Sequence, residues 1–188
     1  DLETEFTPTE VKQVLWEQIS PRLEGLILEL GPGSGFVFNQ IEASQKVAVD
    51  IALEYLKLLD PSALRICADV EDVPLQDGIA DTIICTDVLE HVLHVDKLVA
   101  EINRLLKPGG RLLLATPWEQ DLSVYETKEY KENYAKYKFV HLRSVNQEMV
   151  DSLFPNYRPL HTHLITEGMK YMKLKPYPLK FHELEKLS

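Results

Sequence analysis

A short glycine-rich segment is the part of the sequence whose residue types and spacing most directly suggest ligand chemistry. It reads ELGPGSG, from Glu29 to Gly35, between an apolar run and a helical pattern. Glycines allow the backbone to turn tightly and pass close beneath a ligand, and the N–H groups that open the next helix attract anionic groups. A dinucleotide-binding loop has the pattern G-x-G-x-x-G, which would require glycine where Phe36 stands. The segment therefore predicts a nucleoside ligand other than NAD(H).

Carboxylates follow the next two apolar runs. Asp50 ends the run KVAVD, and Asp69 follows the run LRICA. At the position of Asp50, a carboxylate can accept hydrogen bonds from both hydroxyl groups of an adenosine ribose. At the second, Asp69 can accept a hydrogen bond from the adenine amine while the Val70 amide faces the ring. A single aspartate at a strand end is more often a cap or turn former, but this ordered series of strand ends favours a nucleoside site.

Polar residues also follow the fourth apolar run, in the segment TDVLEH at residues 86–91. Asp87 and Glu90 have the spacing of a capping box, in which case His91 fills the first turn of a helix. Alternatively, these side chains face a substrate, and a histidine can take a proton from a hydroxyl acceptor near neutral pH. His91 and His141 are the candidate catalytic bases, and His94 is a third choice.

Tyrosines recur within residues 119–140. Tyr130, Tyr134 and Tyr137 have the spacing of one helix face. Such a stripe either packs against the domain or forms the wall of a lid over an apolar or aromatic substrate. We interpret residues 118–140 as a substrate-side insertion or lid within one domain that spans residues 1–188.

The elements that must position these residues alternate along the chain. The apolar runs predict strands at residues 26–30, 46–50, 64–68, 82–85 and 111–115. Helices are predicted after a Thr7-Pro8 cap and at residues 36–41, 52–59, 96–106 and 144–154, the last with a capping box from Ser144 to Gln147. Short apolar strands separated by helices are typical of a doubly wound parallel α/β sheet. Two further runs, 160–166 and 169–175, have only Glu167-Gly168 between them, so they predict an antiparallel pair.

Composition limits the partners. The net charge is −10, and residues 128–188 carry 11 Lys and Arg against 7 Asp and Glu, which leaves −14 for residues 1–127. An acidic chain argues against general nucleic-acid binding, whereas its mildly basic last third could steer an anionic small substrate. No apolar run is long enough to cross a membrane. Cys67 and Cys85 lack CxxC spacing, so we expect a reducing, cytoplasmic location and no metal–thiolate site.

Four segments together resemble a known family. ELGPGSG, VAVD, ADVEDVPLQDGIADTIICTDVLEHV and INRLLKPGGRLLLATP closely resemble the class I S-adenosylmethionine (SAM)-dependent methyltransferases. They are most similar to the small-molecule group that includes the ubiquinone-pathway enzymes. The resemblance covers residues 26–117 and implies a Rossmann-like seven-stranded sheet in the order 3-2-1-4-5-7-6, with strand 7 antiparallel.

The resemblance also implies a cofactor site and a reaction. Glycines 31, 33 and 35 would approach the methionine part of SAM, with Glu29 beneath its ammonium group. Asp50 would hold the ribose, Asp69 and Val70 the adenine, and Thr86 the amino-acid end. The implied reaction is transfer of the SAM methyl group, by in-line displacement, to an oxygen, nitrogen or carbon of a small molecule.

Alternatives remain at this point. The segment D-x-x-E-H resembles the E-x-x-E-H metal cluster of small-RNA 3′-end methyltransferases and of some ubiquinone-pathway O-methyltransferases. Asp87, Glu90 and His91, with His141 from elsewhere, could therefore hold a divalent ion, although we expect no metal and no effect of EDTA. A nucleic-acid or protein methyltransferase is a further alternative, but the chain lacks the [DNS]-P-P-[YFW] segment of amine-modifying nucleic-acid enzymes. A SAM-binding subunit without catalytic activity is the last.

Overall fold

The computed structural model describes residues 9–128, 130–132, 140–166 and 177–188. The strands are β1 (Ile27–Leu30), β2 (Lys46–Asp50), β3 (Leu64–Cys67), β4 (Ala80–Thr86), β5 (Leu106–Pro117), β6 (Tyr157–Ile165) and β7 (Leu179–Lys186). They form one seven-stranded sheet in the order β3-β2-β1-β4-β5-β7-β6. This order and the α/β class confirm the prediction.

The direction of the strands divides the sheet. β3, β2, β1, β4 and β5 are parallel, and β7 runs antiparallel to both β5 and β6. β1 lies between β2 and β4, so the order of the strands reverses beside it. Ligands of open α/β sheets bind at such a reversal, outside the carboxyl ends of the strands. The glycine segment follows β1 at this point.

Helices cover both faces of the sheet. They are α1 (Thr9–Ile19), α2 (Leu53–Leu56), α3 (Val95–Leu105) and α4 (Gln147–Leu153), with short 3₁₀ turns at Ser20–Arg22, Phe38–Gln40 and Leu122–Glu126. The apolar stripes of α3 and α4 pack on one face, and that of α1 packs on the other. Burial of such stripes is the main source of helix stability in a protein of this kind.

Side-chain alternation along the strands places several predicted site residues on one face. Leu28 and Leu30 of β1 point toward α3, so Ile27 and Glu29 point toward α1. The same alternation directs Asp50 of β2 and Thr86 of β4 to the α1 side. Glu29, Asp50 and Thr86 therefore share one face near the carboxyl edge of the sheet.

Several predicted helices are shorter than the sequence pattern suggested. The helix predicted at residues 36–41 is the single turn Phe38–Gln40, and that at 52–59 is α2, Leu53–Leu56. The helix predicted at 144–154 begins at Gln147 because Asn146, and not Ser144, caps it: its side-chain oxygen accepts a hydrogen bond from the Met149 amide at 2.9 Å. The predicted Thr7-Pro8 cap lies outside the described residues.

The antiparallel partner of β6 was wrongly located in the sequence. The predicted strand at 169–175 lies in residues that the structure does not describe, and β6 pairs with β7 at Leu179–Lys186. The sequence of this strand, LKFHELEK, contains four charged residues and therefore does not have the apolar pattern that predicts a buried strand. Glu183 is nevertheless buried. The cost of burying its charge is offset by Arg22 and Arg111, which contact its carboxylate at 2.8 and 3.2 Å.

The helices of the described residues include none with the length and apolar character needed to cross a membrane.

Candidate functional site

The glycine segment turns sharply away from β1. Gly31, Gly33 and Gly35 have φ angles of 67°, 52° and 83°, which are costly for residues with a Cβ atom. A Cβ atom on Gly31 would lie 2.6 Å from Cγ2 of Val88. The Gly31 amide donates to the Val49 carbonyl of β2 at 2.8 Å. Glycine is therefore required here both for conformation and for space.

Glu29 lies beneath this segment as a buried carboxyl group. It is 2% exposed, and its Oε2 atom has no hydrogen-bond partner among the described residues. Burial, with the nearby negative charge of Asp50, raises the pKa of Glu29 to about 8, and Lys46 opposes the shift. A cationic ligand group would satisfy this carboxylate.

Asp50 joins β2 to the glycine segment. Its Oδ2 accepts a hydrogen bond from the Gly33 amide at 3.2 Å, and its Oδ1 accepts one from Ala52 at 2.8 Å. Each carboxylate oxygen can accept a second hydrogen bond. The position is the one predicted for a ribose-binding residue, and the same contacts also fix the shape of the loop.

Asp69 and Val70 follow β3, the strand next to β2. Asp69 is exposed, and its Oδ1 accepts a hydrogen bond from the Glu71 amide at 2.9 Å. Val70 is partly buried against the core. The Ala68 amide donates to the Asp50 carbonyl at 3.1 Å, which holds the two strand ends side by side. The structure thus brings Asp50 and Asp69 to neighbouring places on the edge where the sequence predicted the ribose and adenine.

A cavity of about 130 Å³ lies beside the glycine segment, and Asp69 is not among the residues that line it. Glu29, Gly31 and Gly33 line it together with Thr86 and Asp87. Asp87 has a φ of 52°, which is uncommon for a residue other than glycine. Thr86, for which we predict contact with the amino-acid end of the cofactor, thus lines the same cavity as Glu29 and the glycine segment.

The structure does not form the predicted capping box of Asp87 and Glu90. α3 begins only at Val95, and residues 89–91 form a turn in which the His91 amide donates to the Val88 carbonyl at 2.9 Å. The left-handed backbone conformation of Asp87 differs from the extended conformation of a residue that caps the start of a helix. Asp87 lines the cofactor-side cavity, whereas Glu90 points into a separate cluster.

This second cluster consists of Glu90, His91 and His141. One ligand atom from each lies within 4.8 Å of the others. Glu90 is fully buried, and neither of its carboxylate oxygens has a hydrogen-bond partner in the described part of the chain. Burial and the negative charge of Asp87 raise the pKa of Glu90, and Arg143 counters this in part. The three side chains are of the types that bind divalent cations.

Hydrogen bonds from a distant segment hold His141 in this cluster. The Leu142 amide donates to the Glu90 carbonyl at 2.8 Å, and the Arg143 guanidinium donates to the Leu89 carbonyl at 2.5 Å. His141 is buried, and its Nδ1 lies 2.5 Å from Oε1 of Gln120. Burial, with the adjacent His91, lowers the pKa of His141 to about 3. Burial also lowers the pKa of His91, so both rings are neutral at physiological pH.

The other candidate residues lie apart from this cluster or in its wall. His94 pairs with Glu71, with Nδ1 and Oε2 2.7 Å apart. Tyr130 is buried and packs against Tyr125, their ring centres 4.9 Å apart. Tyr134 and Tyr137 lie outside the described residues.

Three residues around His141 were missed in the sequence. Gln120 contacts the His141 ring, and Tyr125 and Tyr177 lie edge-on to it at 5.8 and 5.7 Å between ring centres. Isolated glutamine and tyrosine residues in irregular segments carry no pattern that marks them. Their position after β5 is the one signal that could have placed Gln120 and Tyr125 near the site.

Comparisons with known proteins agree with this arrangement. A family model described as a methyltransferase domain matches residues 28–114. The ubiquinone biosynthesis O-methyltransferase of Xanthomonas euvesicatoria is 33% identical over 113 residues, covering 53% of this chain and 47% of its own length. A probable S-adenosylmethionine-dependent methyltransferase of Mycobacterium tuberculosis is 30% identical over 111 residues, covering 56% of this chain and 40% of its own length. This chain therefore spans less than half the length of these two relatives.

A solved structure supports the fold over nearly the whole chain. Phosphoethanolamine N-methyltransferase 2 of Haemonchus contortus, in complex with phosphomonomethylethanolamine and S-adenosylhomocysteine, superposes with a TM-score of 0.71 at 15% identity. The match covers 96% of this chain and 53% of that one. Together, the family model over residues 28–114, the relatives and the strand order make this chain similar to the class I SAM-dependent methyltransferases, whose cofactor is S-adenosylmethionine.

Proposed function

We propose that this protein transfers the methyl group of SAM to a small-molecule acceptor. The observation that carries the proposal is the arrangement of the cofactor-side residues: a glycine segment, the buried Glu29 and the cavity that ends at Thr86 and Asp87 lie on one face of the sheet. The cluster of Glu90, His91 and His141 follows immediately in the chain and supplies polar groups for an acceptor.

The residues present fit the cofactor. The unpartnered Oε2 of Glu29 matches an ammonium group, and Gly31 and Gly33 line the same cavity without side chains of their own. Asp50 and Asp69 would accept from the ribose and adenine. When bound, SAM supplies a methyl group that its positively charged sulfur makes electrophilic.

The chain's own contribution is positioning and proton removal. His91 and His141 are both neutral at physiological pH, the form that can accept a proton from a hydroxyl or phenol acceptor. A pKa of about 3 makes His141 a weak base, so His91 is the better candidate. The contact between Nδ1 of His141 and Gln120 orients the His141 ring. Holding the acceptor in line and excluding water would account for most of the remaining rate enhancement.

Two observations favour a small acceptor. The net charge of −10 disfavours a polyanionic substrate, and the relative in Xanthomonas is named for ubiquinone biosynthesis, a small-molecule pathway. The finer choice among oxygen, nitrogen and carbon acceptors is part of the test.

Calorimetry and a transfer assay test this function. We expect SAM and S-adenosylhomocysteine to bind with micromolar affinity, about −8 kcal/mol, and NADH not to bind. Methyl-labelled SAM should then transfer label to members of a panel of phenols, amines and carbon acids, and not to tRNA or a protein mixture. Binding of NADH without SAM would contradict the cofactor assignment, and SAM binding without transfer to any class would indicate a non-catalytic subunit.

A second candidate is metal-assisted transfer to an oxygen acceptor. The observation that favours it is the buried carboxylate of Glu90, which accepts no hydrogen bond from the described residues and lies beside His91 and His141. Asp87, included in the metal hypothesis from sequence, is not a member of this cluster. The prediction that no metal is needed stays a prediction.

Chelation separates the two candidates. Without a metal role, the EDTA-treated enzyme keeps its full activity and Glu90→Gln has little effect on transfer. With a metal role, EDTA abolishes transfer, Mg²⁺ or Mn²⁺ restores it, and Glu90→Gln raises the concentration of ion required, because a neutral amide is a poorer ligand for a hard cation.

A further inference from the structure

Helix α1 lines the cavity that we assign to the methionine end of the cofactor. Val11, Lys12 and Leu15 of this helix line it, opposite Glu29 and the glycine segment. Val11 and Leu15 belong to the apolar stripe that fixes α1 to the sheet. The position of Lys12 is therefore set by the packing of its neighbours.

Lys12 is the one cationic residue among the described residues that line this cavity, whereas Glu29 and Asp87 are both acidic. Its ammonium nitrogen lies 5.5 Å from the ring centre of Phe36, which directly follows the glycine segment. Lys12 is only partly exposed, as expected for a side chain whose methylene groups lie along an apolar surface. Both observations place the charged end of Lys12 at the rim of the cavity.

The charges of the cavity match those of an amino acid only if Lys12 takes part. The amino-acid end of SAM carries an ammonium and a carboxylate group. Glu29 would bind the ammonium group, and the carboxylate would then lie near Glu29 and Asp87 with no other described cation lining the cavity. Repulsion between the SAM carboxylate and these two acidic side chains would disfavour binding unless a cation lies between them.

We propose that Lys12 binds the carboxylate of the SAM methionine group, so that α1 selects cofactors that retain it. This inference rests on the proposed cofactor site and adds a residue outside the strand-end motifs. Lysine binds a carboxylate as a point charge, and arginine preserves that charge.

Calorimetry with SAM and decarboxylated SAM tests the inference, because these ligands differ in the carboxylate alone. We expect the wild-type protein to bind SAM at least about tenfold more tightly than decarboxylated SAM. Lys12→Met should weaken SAM binding about tenfold and leave the decarboxylated ligand unaffected. Lys12→Arg should retain most of the preference. Lys97→Met, an exposed position of α3 on the other face of the sheet, is the matched control and should bind both ligands normally.

The outcomes are distinguishable. If Lys12→Met weakens both ligands equally, or neither, Lys12 does not read the carboxylate and the inference is wrong while the cofactor assignment stands. If the wild-type protein binds neither ligand, the cofactor assignment fails as well. Thermal unfolding of each variant verifies that α1 remains folded, and Lys12→Gln, which also removes the charge, replaces the methionine variant should that variant prove unstable.

Discussion

Glu29 is the residue whose environment most directly suggests that a cationic ligand group binds beside it. A carboxyl group that is 2% exposed and lacks a partner for one oxygen is unfavourable in its ionised form. Its pKa of about 8 means that the cofactor-free protein holds a proton there at neutral pH. Binding an ammonium group would ionise Glu29 and release that proton.

The raised pKa predicts how stability depends on pH. The folded state keeps the Glu29 proton up to a pKa of about 8, whereas the unfolded chain releases it near 4.5. The stabilisation is therefore complete below pH 4.5 and is lost progressively as the pH rises to about 8. The slope approaches about 1.4 kcal/mol per pH unit.

Comparison with Glu29→Gln isolates this contribution from those of the other buried groups. Urea unfolding of both cofactor-free proteins across this pH range should show the wild-type free energy of unfolding falling relative to the variant. A constant difference between them would mean that Glu29 is ionised in the folded protein and already has a partner. Saturating SAM should reduce the pH dependence in the wild-type protein alone.

Residues with a strand-end motif could be placed from sequence, and those defined by long-range contacts could not. Glu29, Asp50 and Thr86 lie where their motif predicted because each is fixed by the strand that it ends or belongs to. The cluster around Glu90 depends on His141, 51 residues further on, and on the hydrogen bonds from Leu142 and Arg143 to carbonyl groups within residues 89–93. The roles of the strand-end residues in cofactor binding and of the Glu90 cluster in catalysis stay predictions.

At the scale of elements, the glycine segment depends on its contact with the turn after β4. Gly31 lies against Val88, so the loop that follows β1 and the one that follows β4 shape each other. The position of the glycine segment is therefore coupled to that of the turn that contains Val88.

Substitution of Gly31 by alanine should damage this junction more than its left-handed conformation alone explains. Gly78→Ala is a matched control, because Gly78 has a similar φ of 59° and a Cβ atom there would meet nothing within 4 Å. We expect the control to lose about 1 kcal/mol of stability from backbone strain. Gly31→Ala should lose more, since a Cβ atom would lie 2.6 Å from Val88, and should also bind S-adenosylhomocysteine more weakly. Equal losses in the two variants, measured by urea unfolding, would show that the contact is unimportant.

Elements with a simple apolar pattern were also the ones that the sequence located well. The apolar runs located all five parallel strands. β1, β2 and β4 are largely buried on both faces, whereas the edge strand β3 is mostly exposed and β5 begins five residues before the predicted run. β7 was missed because polar residues, Glu183 and His182, are buried within it. The charge of Glu183 is neutralised by Arg22 and Arg111, which come from elsewhere in the chain. Local sequence does not reveal such partners.

At the scale of the molecule, the match to the family model ends inside β5, at residue 114. Residues 1–127 carry the predicted cofactor residues and a charge of −14, and residues 128–188 carry +4. β6 and β7 complete the sheet from this second part. β7 lies between β5 and β6, so the last strand in the sequence is an interior strand of the sheet.

This topology predicts that removal of the last strand disrupts the whole protein. Deletion of residues 179–188 exposes the β5 edge, leaves β6 without its partner in the sheet, and removes the buried Leu179, Phe181 and Leu184 from both faces of the core. It also leaves Arg22 and Arg111 without the carboxylate of Glu183. Loss of several buried side chains at about 2–5 kcal/mol each exceeds the usual stability of a domain.

We therefore expect the protein lacking residues 179–188 to have no cooperative unfolding transition and no affinity for S-adenosylhomocysteine, even though every predicted cofactor residue is retained. A shorter deletion of residues 187–188 is the control: it removes the exposed Leu187 and one backbone hydrogen bond to Asn156, and should unfold cooperatively with nearly normal stability. Circular dichroism during heating, with calorimetry of ligand binding, compares the two. A cooperative, ligand-binding protein without β7 would mean that the five parallel strands form an independent folding unit, because they would then hold the cofactor site without the antiparallel edge.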